Sequence, residues 1–406
     1  MNILVLSDFF PPQVNAGAEN IALELCKGYI KNYNKVSVIT VNKSLKKGEI
    51  IFSTLDSIKC YQIGFSYNEK FSAYVGLYNP FLLKIIKKII LENDFKIAHI
   101  HNIHSYISYG VIGLLQKFSI PSILTAHDAL SVCYGKYDQG VCCGDISLNA
   151  RVSYKANQLK IFQKNWKRYN LLRNFFIKLQ FKKLKKIVCV SKELEILLNA
   201  NGINNTIVIH NGLSELDKPS RQDLNKFREN INVSSNNKIL LFTGRISKAK
   251  GLEQVQILIH SLIKQDPNII LLVVGKEVKF DKTIQKNVIN TKWLSNKEIN
   301  LAYSIADITL VPSIYLDPFP TVVIESMRAG TPVIASIYSG ATEAVVDGVT
   351  GYHVNPFDIK DFSDKTKKIL DDFKLSNSMS NKSKEEFHKR FKLEESIQKY
   401  LELFDN

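Results

Sequence analysis

No apolar run in this chain approaches the roughly 20 residues that a membrane-spanning helix needs, which argues against an integral membrane protein. The opening residues, Met1-Asn-Ile-Leu-Val-Leu-Ser-Asp8, carry no basic region and no small-residue cleavage site. Their short apolar run reads as a buried first strand, and a cytoplasmic protein is expected. Cysteine is sparse: six in 406 residues, at 26, 60, 133, 142, 143 and 189, do not make a disulfide framework. Cys133, Cys142 and Cys143 lie close together. Neither spacing is a C-x2-C pair and two of them are adjacent, so free thiols in a loop are favoured over a zinc site. Internal repeats and low-complexity segments are absent. No Asp-x-Asp pair stands in a loop position where it would hold a divalent cation for phosphate chemistry.

Negative charge is missing over one long stretch. Between Asp145 and Glu193 there is no acidic residue, while Arg151, Lys155, Lys160, Lys164, Lys167, Arg168, Arg173, Lys178, Lys182, Lys183, Lys185 and Lys186 all fall there. Leu159, Phe162, Trp166, Leu171, Leu172, Phe175, Phe176, Leu179 and Phe181 interleave with them, many three or four apart. This is a basic amphipathic helical region. One reading is a solvated helix face. The other is an anionic membrane surface, where each basic side chain contributes about 1 kcal/mol. Nucleic acid is not expected, because no nucleic-acid module accompanies the charge.

What is present is an ordinary globular composition, 45% apolar, with a net charge of +16. A chain of 406 residues should hold two domains, since one core rarely grows past about 250–300 residues. Strand patterns at Ile3–Leu6, Val36–Val41, Ile97–Ile100, Ser122–Thr125, Ile187–Val190 and Ile207–Ile209 alternate with helical ones. The pattern restarts at Ile239–Thr243, Ile269–Val274, Asp307–Val311, Val333–Ala335 and Tyr352–Val354. Continuous apolar strands between helices mean α/β domains with parallel sheets covered on both faces. The reading is two doubly wound, Rossmann-like domains facing a cleft, one over 1–212 and one over 238–381. A polar linker over 213–237 holds Pro219 and the pair Asn236-Asn237.

The most informative stretch is Asp317-Pro-Phe-Pro-Thr-Val-Val-Ile-Glu-Ser-Met-Arg-Ala-Gly330. A proline-bounded acidic loop leads into a helix pattern from Thr321 to Ala329, stopped by Gly330. The helix start offers unpaired N–H groups and a positive dipole end, which suit a phosphate. Phe319, Thr321 and Val322 can supply those N–H groups; Pro320 cannot. Glu325, one turn in, can accept hydrogen bonds from a ribose diol, and Asp317 from a hydroxylated ring. The segment is shaped to read a sugar nucleotide. After the strand 239–243 comes Gly244-Arg245-Ile-Ser-Lys-Ala-Lys250-Gly251. Its guanidinium and ammonium suit the charge on a departing diphosphate.

These motifs, with Gly330-Thr-Pro-Val-Ile-Ala335, Gly340-Ala-Thr-Glu343 and Asp347-Gly-Val-Thr-Gly351, resemble the C-terminal half of family 4 retaining glycosyltransferases, which have the GT-B fold. The other half fits as well: Phe10-Pro-Pro, Ala16-Gly17-Ala18-Glu19, His99-Ile-His101, Thr125-Ala-His127-Asp128 and Val190-Ser191-Lys192. The resemblance implies a transfer of sugar from a nucleoside diphosphate, UDP or GDP, to a glycan or polyprenyl-linked acceptor in surface-polysaccharide or lipopolysaccharide assembly. His127, Arg245, Lys250 and Asp317 become the catalytic candidates. Gly17, Arg245, Lys250, Phe319, Thr321, Val322 and Glu325 become the donor-binding ones. No metal and no further cofactor is assigned. Asp128 would orient His127. His99, His101 and His104 would support the loop or the acceptor pocket, a metal site there being disfavoured. Trp293 and Leu294 fall in the nucleobase region, where Trp293 equally reads as core. Residues from about 382 to 406 would cross back to the first domain. Asp317 stands where the family has glutamate, and Ala16 where it has a first glycine. A sugar-nucleotide epimerase of the same fold and a non-catalytic membrane-surface subunit are the rival readings.

Overall fold

The structure, a computed structural model, describes residues 1–14, 16–134, 154–166 and 169–405. The chain forms two units that divide between Ser214 and Glu215 and again between Lys392 and Leu393. In the first unit the strands are β1 (Asn2–Leu6), β2 (Lys35–Asn42), β3 (Ile50–Leu55), β4 (Ile58–Gly64), β5 (Ile97–Ile100), β6 (Ser122–Ala126), β7 (Lys186–Cys189) and β8 (Thr206–Val208). They form one sheet in the order β3-β4-β2-β1-β5-β6-β7-β8, parallel throughout except for β3 against β4. That edge hairpin was not legible as strand. Ile51 and Phe52 of β3 face outward, and the turn rests on Asp56 and Ser57, both left-handed. Such a turn matches the natural twist of two antiparallel strands.

The helix Leu393–Asp405 belongs to this first unit. Leu393, Ile397, Tyr400 and Phe404 are buried in one cluster with Ile3, Val5, Leu25, Tyr29 and Ile123. The helix lies so close to the helix Gly17–Lys31 that a Cβ on Gly28 would sit 1.9 Å from Ile397 Cδ1. A glycine in a helix interior costs about 1 kcal/mol against alanine, and here the close approach explains it. The return to the first unit starts at Leu393; the preceding helix, Phe373–Arg390, packs in the second unit against the helix Thr321–Ala329.

The second unit adds β9 (Lys238–Gly244), β10 (Ile269–Gly275), β11 (Val288–Asn290), β12 (Ile308–Val311), β13 (Val333–Ser336) and β14 (Gly351–Val354). Its sheet is parallel, in the order β11-β10-β9-β12-β13-β14. Alternate residues of one strand feed opposite faces: Leu240 and Phe242 enter one core cluster, Ile239 and Leu241 the other. The stretch expected as a linker contains the helix Arg221–Asn230, capped by Ser220, and its Phe227 is buried with Ile239 and Tyr303.

Candidate functional site

In the second unit the motifs gather where strands end. The loop after β9 carries Arg245 and Lys250. Arg245 is exposed, and no hydrogen bond or ion pair joins it to another described residue. Lys250 lies half-buried beside Tyr315, its Nζ 5.6 Å from the ring centroid. Gly251 fixes that position: its φ is +85°, and a Cβ there would meet the Pro312 carbonyl at 2.1 Å. Only glycine allows the loop to lie so close to the end of β12. Ile314 N–H donates to the Ala249 carbonyl at 2.9 Å, closing the contact.

This brings Lys250 to Asp317. The ammonium is ion-paired with Oδ2 of Asp317, and Ser313 Oγ donates to the same oxygen at 3.1 Å. Asp317 is buried. The two residues expected to serve diphosphate and sugar separately are therefore partners of one another. Beyond Asp317 the helix Thr321–Ala329 starts after Pro320 with no side-chain cap on its N-terminus. Its first turn therefore presents the positive end of the helix dipole, with Val323 N–H taken by the Pro320 carbonyl at 3.0 Å. Phe319 is buried with its ring 5.8 Å from that of Phe391, so its side chain is structural. Glu325 is half-buried and accepts a hydrogen bond from the Tyr303 hydroxyl, 2.7 Å from Oε2. Tyr303 is buried, and desolvation, followed by the charge of Glu325, raises its pKa well above the usual value. Tyr303 lies 22 residues before Glu325 on another helix, and no local pattern announces it. Trp293 is 60% exposed, which removes its reading as core.

The first unit holds the histidines. His127 follows β6 and is half-buried. Its Nε2 meets His101 Nδ1 at 2.9 Å, and the two rings stack with centroids 5.2 Å apart. The group that orients His127 is thus His101. Asp128 instead accepts from Leu130 N–H at 2.8 Å and lies 4.0 Å from His104 Nε2. Burial lowers the His127 pKa to about 4 against the opposing charge of Asp128, with neighbouring His104 adding to the fall, so the ring is neutral near pH 7. His99 sits deeper, in a chain from Tyr29 Oη to His99 Nδ1 (3.0 Å), His99 Nε2 to Thr125 Oγ1 (2.7 Å) and Thr125 Oγ1 to Tyr400 Oη (2.9 Å). Both of its nitrogens are engaged, a structural arrangement. Asp8, buried at the end of β1, accepts from the N–H groups of Ser105, Tyr106 and Ile107 and so shapes the loop that carries His104. Gly17 is the first residue of the helix Gly17–Lys31, behind Ala16.

The basic region forms helices Gln158–Asn165 and Arg173–Phe181. In the second, the polar Arg173 and Gln180 are buried with Ile177 and Phe181, whereas Phe175 is 63% exposed and Leu172, just before the helix, 70%. Arg173 is anchored by the Leu130 carbonyl and by Asn174 Oδ1 at 3.1 Å. Arg151, Lys167, Arg168, Cys142 and Cys143 lie outside the described residues; Cys133 is buried. Among the described residues no helix is long and apolar enough to cross a membrane.

Two family models match. Residues 15–215 match Glycosyltransferase Family 4, and residues 223–386 match Glycosyl transferases group 1, so together they take in nearly the whole chain and divide it where the two units divide. The chain belongs to the family 4 glycosyltransferases. It is an enzyme of the GT-B fold. A glycosyltransferase of Methanocaldococcus jannaschii is 21% identical over 96% of this chain and 94% of that one. The lipopolysaccharide 1,2-N-acetylglucosaminetransferase of Salmonella typhimurium is 29% identical, over 49% of this chain and 56% of its own length. Among solved structures, sucrose-phosphate synthase from Thermosynechococcus elongatus superposes with a TM-score of 0.76 at 20% identity, covering 100% of this chain and 98% of that one. HepE of Anabaena, solved with UDP-glucose, superposes at 0.70 and 18% identity, covering 99% of each chain.

Proposed function

We propose that this glycosyltransferase moves a sugar from a uridine or guanosine diphosphate donor to a glycan or lipid-linked acceptor in surface-polysaccharide or lipopolysaccharide assembly. The observation that carries the donor half is the second unit's arrangement of Arg245, Lys250 and the uncapped helix start at Thr321. Lys250, held in place, and the N–H groups stabilise charge developing on a diphosphate with little reorganisation, while the untethered Arg245 closes on it. Glu325, held by Tyr303, takes the ribose; Asp317 takes donor-sugar hydroxyls while keeping Lys250 in place. The cations take the place of a divalent metal, and the anomeric configuration is retained. His127, neutral and oriented by His101, contributes a hydrogen bond at the sugar. The lipopolysaccharide transferase among the relatives and the UDP-glucose bound in HepE support this choice of donor and setting.

The enzyme works at the cytoplasmic face of a membrane, docking through the basic helices. Leu159, Trp166, Leu171, Leu172, Phe175 and Leu179 are exposed beside exposed Lys160, Lys164, Lys182 and Lys183. Apolar side chains that insert, flanked by lysines that meet anionic headgroups, are the chemistry of an interfacial helix.

The test incubates the protein with UDP-glucose, UDP-N-acetylglucosamine and GDP-mannose, with and without EDTA, and follows release of the nucleoside diphosphate. One donor should be hydrolysed slowly without acceptor, Arg245→Ala should abolish this, and EDTA should not. Turnover that collapses in EDTA sinks the metal-free reading. Interconversion of the sugar with no release would instead support the epimerase.

A further inference from the structure

A small recess beside His127 carries two polar atoms that nothing around them uses. It lies wholly within the first unit and has room for about 20 Å³, lined by His101, His104, Tyr109, Leu124, His127 and Ser131 among others. That is space for about one water- or hydroxyl-sized group. His101 is only 3% exposed and Ser131 only 6%. Nδ1 of His101 is taken by His127, but its Nε2 has no hydrogen-bond partner among the described residues, and neither has Ser131 Oγ. Buried polar atoms are satisfied in the great majority of cases, and leaving one unpaired costs as much as the hydrogen bond it lacks. Two such atoms in one recess mark a place built for a polar group from outside the chain.

The chemistry of that group follows from the walls. A buried neutral imidazole and a hydroxyl each both donate and accept, once the imidazole tautomer is chosen. No lysine or arginine lines the recess to match a phosphate or a carboxylate, the Asp128 carboxylate that lines it repels either, and burial holds His101 far below its usual pKa, so it stays neutral. Leu124 and Tyr109 supply apolar surface for the carbon that bears the group. A neutral group that donates one hydrogen bond and accepts another, on a carbon, is an alcohol.

We propose that this recess is a subsite for a single sugar hydroxyl, held between His101 Nε2 and Ser131 Oγ. His101 thereby touches the ligand with one nitrogen and orients His127 with the other. The choice of a sugar rests on the transfer reading above. The hydroxyl comes from the donor's sugar ring or from the acceptor, and the test separates them.

Binding to the full chain is measured by saturation-transfer NMR with two probe series. One is UDP, UDP-glucose, UDP-galactose and UDP-xylose; the other is the methyl glycosides of glucose, galactose, mannose and N-acetylglucosamine in the presence of UDP. Ser131→Val fills the recess with methyl groups, Ser131→Ala removes the hydroxyl more gently, and His101→Gln changes the second contact. The expected result is a loss of tenfold or more in affinity for one series in both the Ser131 and His101 variants, with UDP affinity held within twofold as the control for folding. Loss confined to the UDP-sugars assigns the hydroxyl to the donor; loss confined to the glycosides assigns it to the acceptor. If sugar affinities stay within twofold in all variants, or if no probe of either series binds the wild type, the subsite does not exist. Should UDP fail to bind while glycosides bind and respond to the variants, the donor reading fails and the subsite stands.

Discussion

Lys250 and Asp317, 67 positions apart in sequence, form one ion pair at the mouth of the second sheet, with Ser313 donating into the same carboxylate. Side-chain exposure is 26% for the lysine and 8% for the aspartate, so the pair is largely desolvated. Removing one partner of such a pair costs about 3–5 kcal/mol, whereas replacing both by apolar groups is often close to neutral. Asp317→Ala is therefore expected to lower stability by roughly 3 kcal/mol, and Lys250→Met/Asp317→Leu to regain most of it, in urea melts followed by fluorescence. Transfer should stay lost in the double variant, by about 10²–10³ in kcat, because the fixed positive charge is gone. A double variant that recovers activity along with stability would confine the pair to a structural role.

Tyr303 holds Glu325 through a buried hydroxyl. A hydrogen bond to a charged group is worth about 1.5–3 kcal/mol, or a factor of roughly 10–100. Tyr303→Phe should raise the donor KM about tenfold and leave kcat within a few-fold. In a cycle with Glu325→Ala the two losses should not add, since the tyrosine acts through the carboxylate. Additive losses would separate Tyr303 from donor binding.

The buried histidines set a pH limit on stability. Burial depresses His99 from 6.5 to about 3 in the folded chain. Between those values the unfolded chain binds the proton and the folded one does not, so stability is full above about 6.5 and falls as pH drops towards 3. The slope is about 1.4 kcal/mol per pH unit for each such group. His101 and His127 are shifted in the same direction, while Asp8, whose pKa burial raises, offsets part of the loss at the acid end. Melting temperatures at pH 7.5 and 6.5 should nearly agree, and those at pH 5.5 and 4.5 should fall stepwise in the wild type and less steeply in His99→Gln. Parallel slopes would mean that His99 takes up a proton without cost.

Phe175 and Leu179 face outward on the helix Arg173–Phe181, whose inner face is fixed by Arg173, Ile177 and Phe181. Phe175→Ser/Leu179→Ser should leave the melting temperature within about 2 °C, since neither side chain is in the core. The same variant should weaken sedimentation with phosphatidylglycerol vesicles tenfold or more. Wild-type binding that vanishes entirely at high salt would point to charge alone.

Much of this was legible from residues at strand ends. Eleven runs read as strands stand in the sheets, because burial on both faces leaves a continuous apolar signature in all but the half-buried edge strand β8. The helix Thr321–Ala329 begins and ends where the proline and glycine around it say it should. The hairpin β3–β4 escaped because its outer strand is half-exposed and mixes apolar with polar residues. Within the site, Lys250, Asp317 and Glu325 could be named from local pattern, but their partners could not. Tyr303 reaches Glu325, and Tyr400 reaches Thr125 across 275 positions, through packing that only the finished fold creates. The sequence leaves His101 as support for the loop or the acceptor pocket; its bond to His127 needs β5 and β6 side by side, a fact of register.

The helix Leu393–Asp405 has a consequence for how the protein is made. Ile397, Tyr400 and Phe404 complete the interior of the unit that residue 1 begins, so that interior stays open until translation has passed residue 404. By then all of Glu215–Lys392 has already been synthesised. Although domains generally mature from the N-terminus during synthesis, here the half made first must finish last.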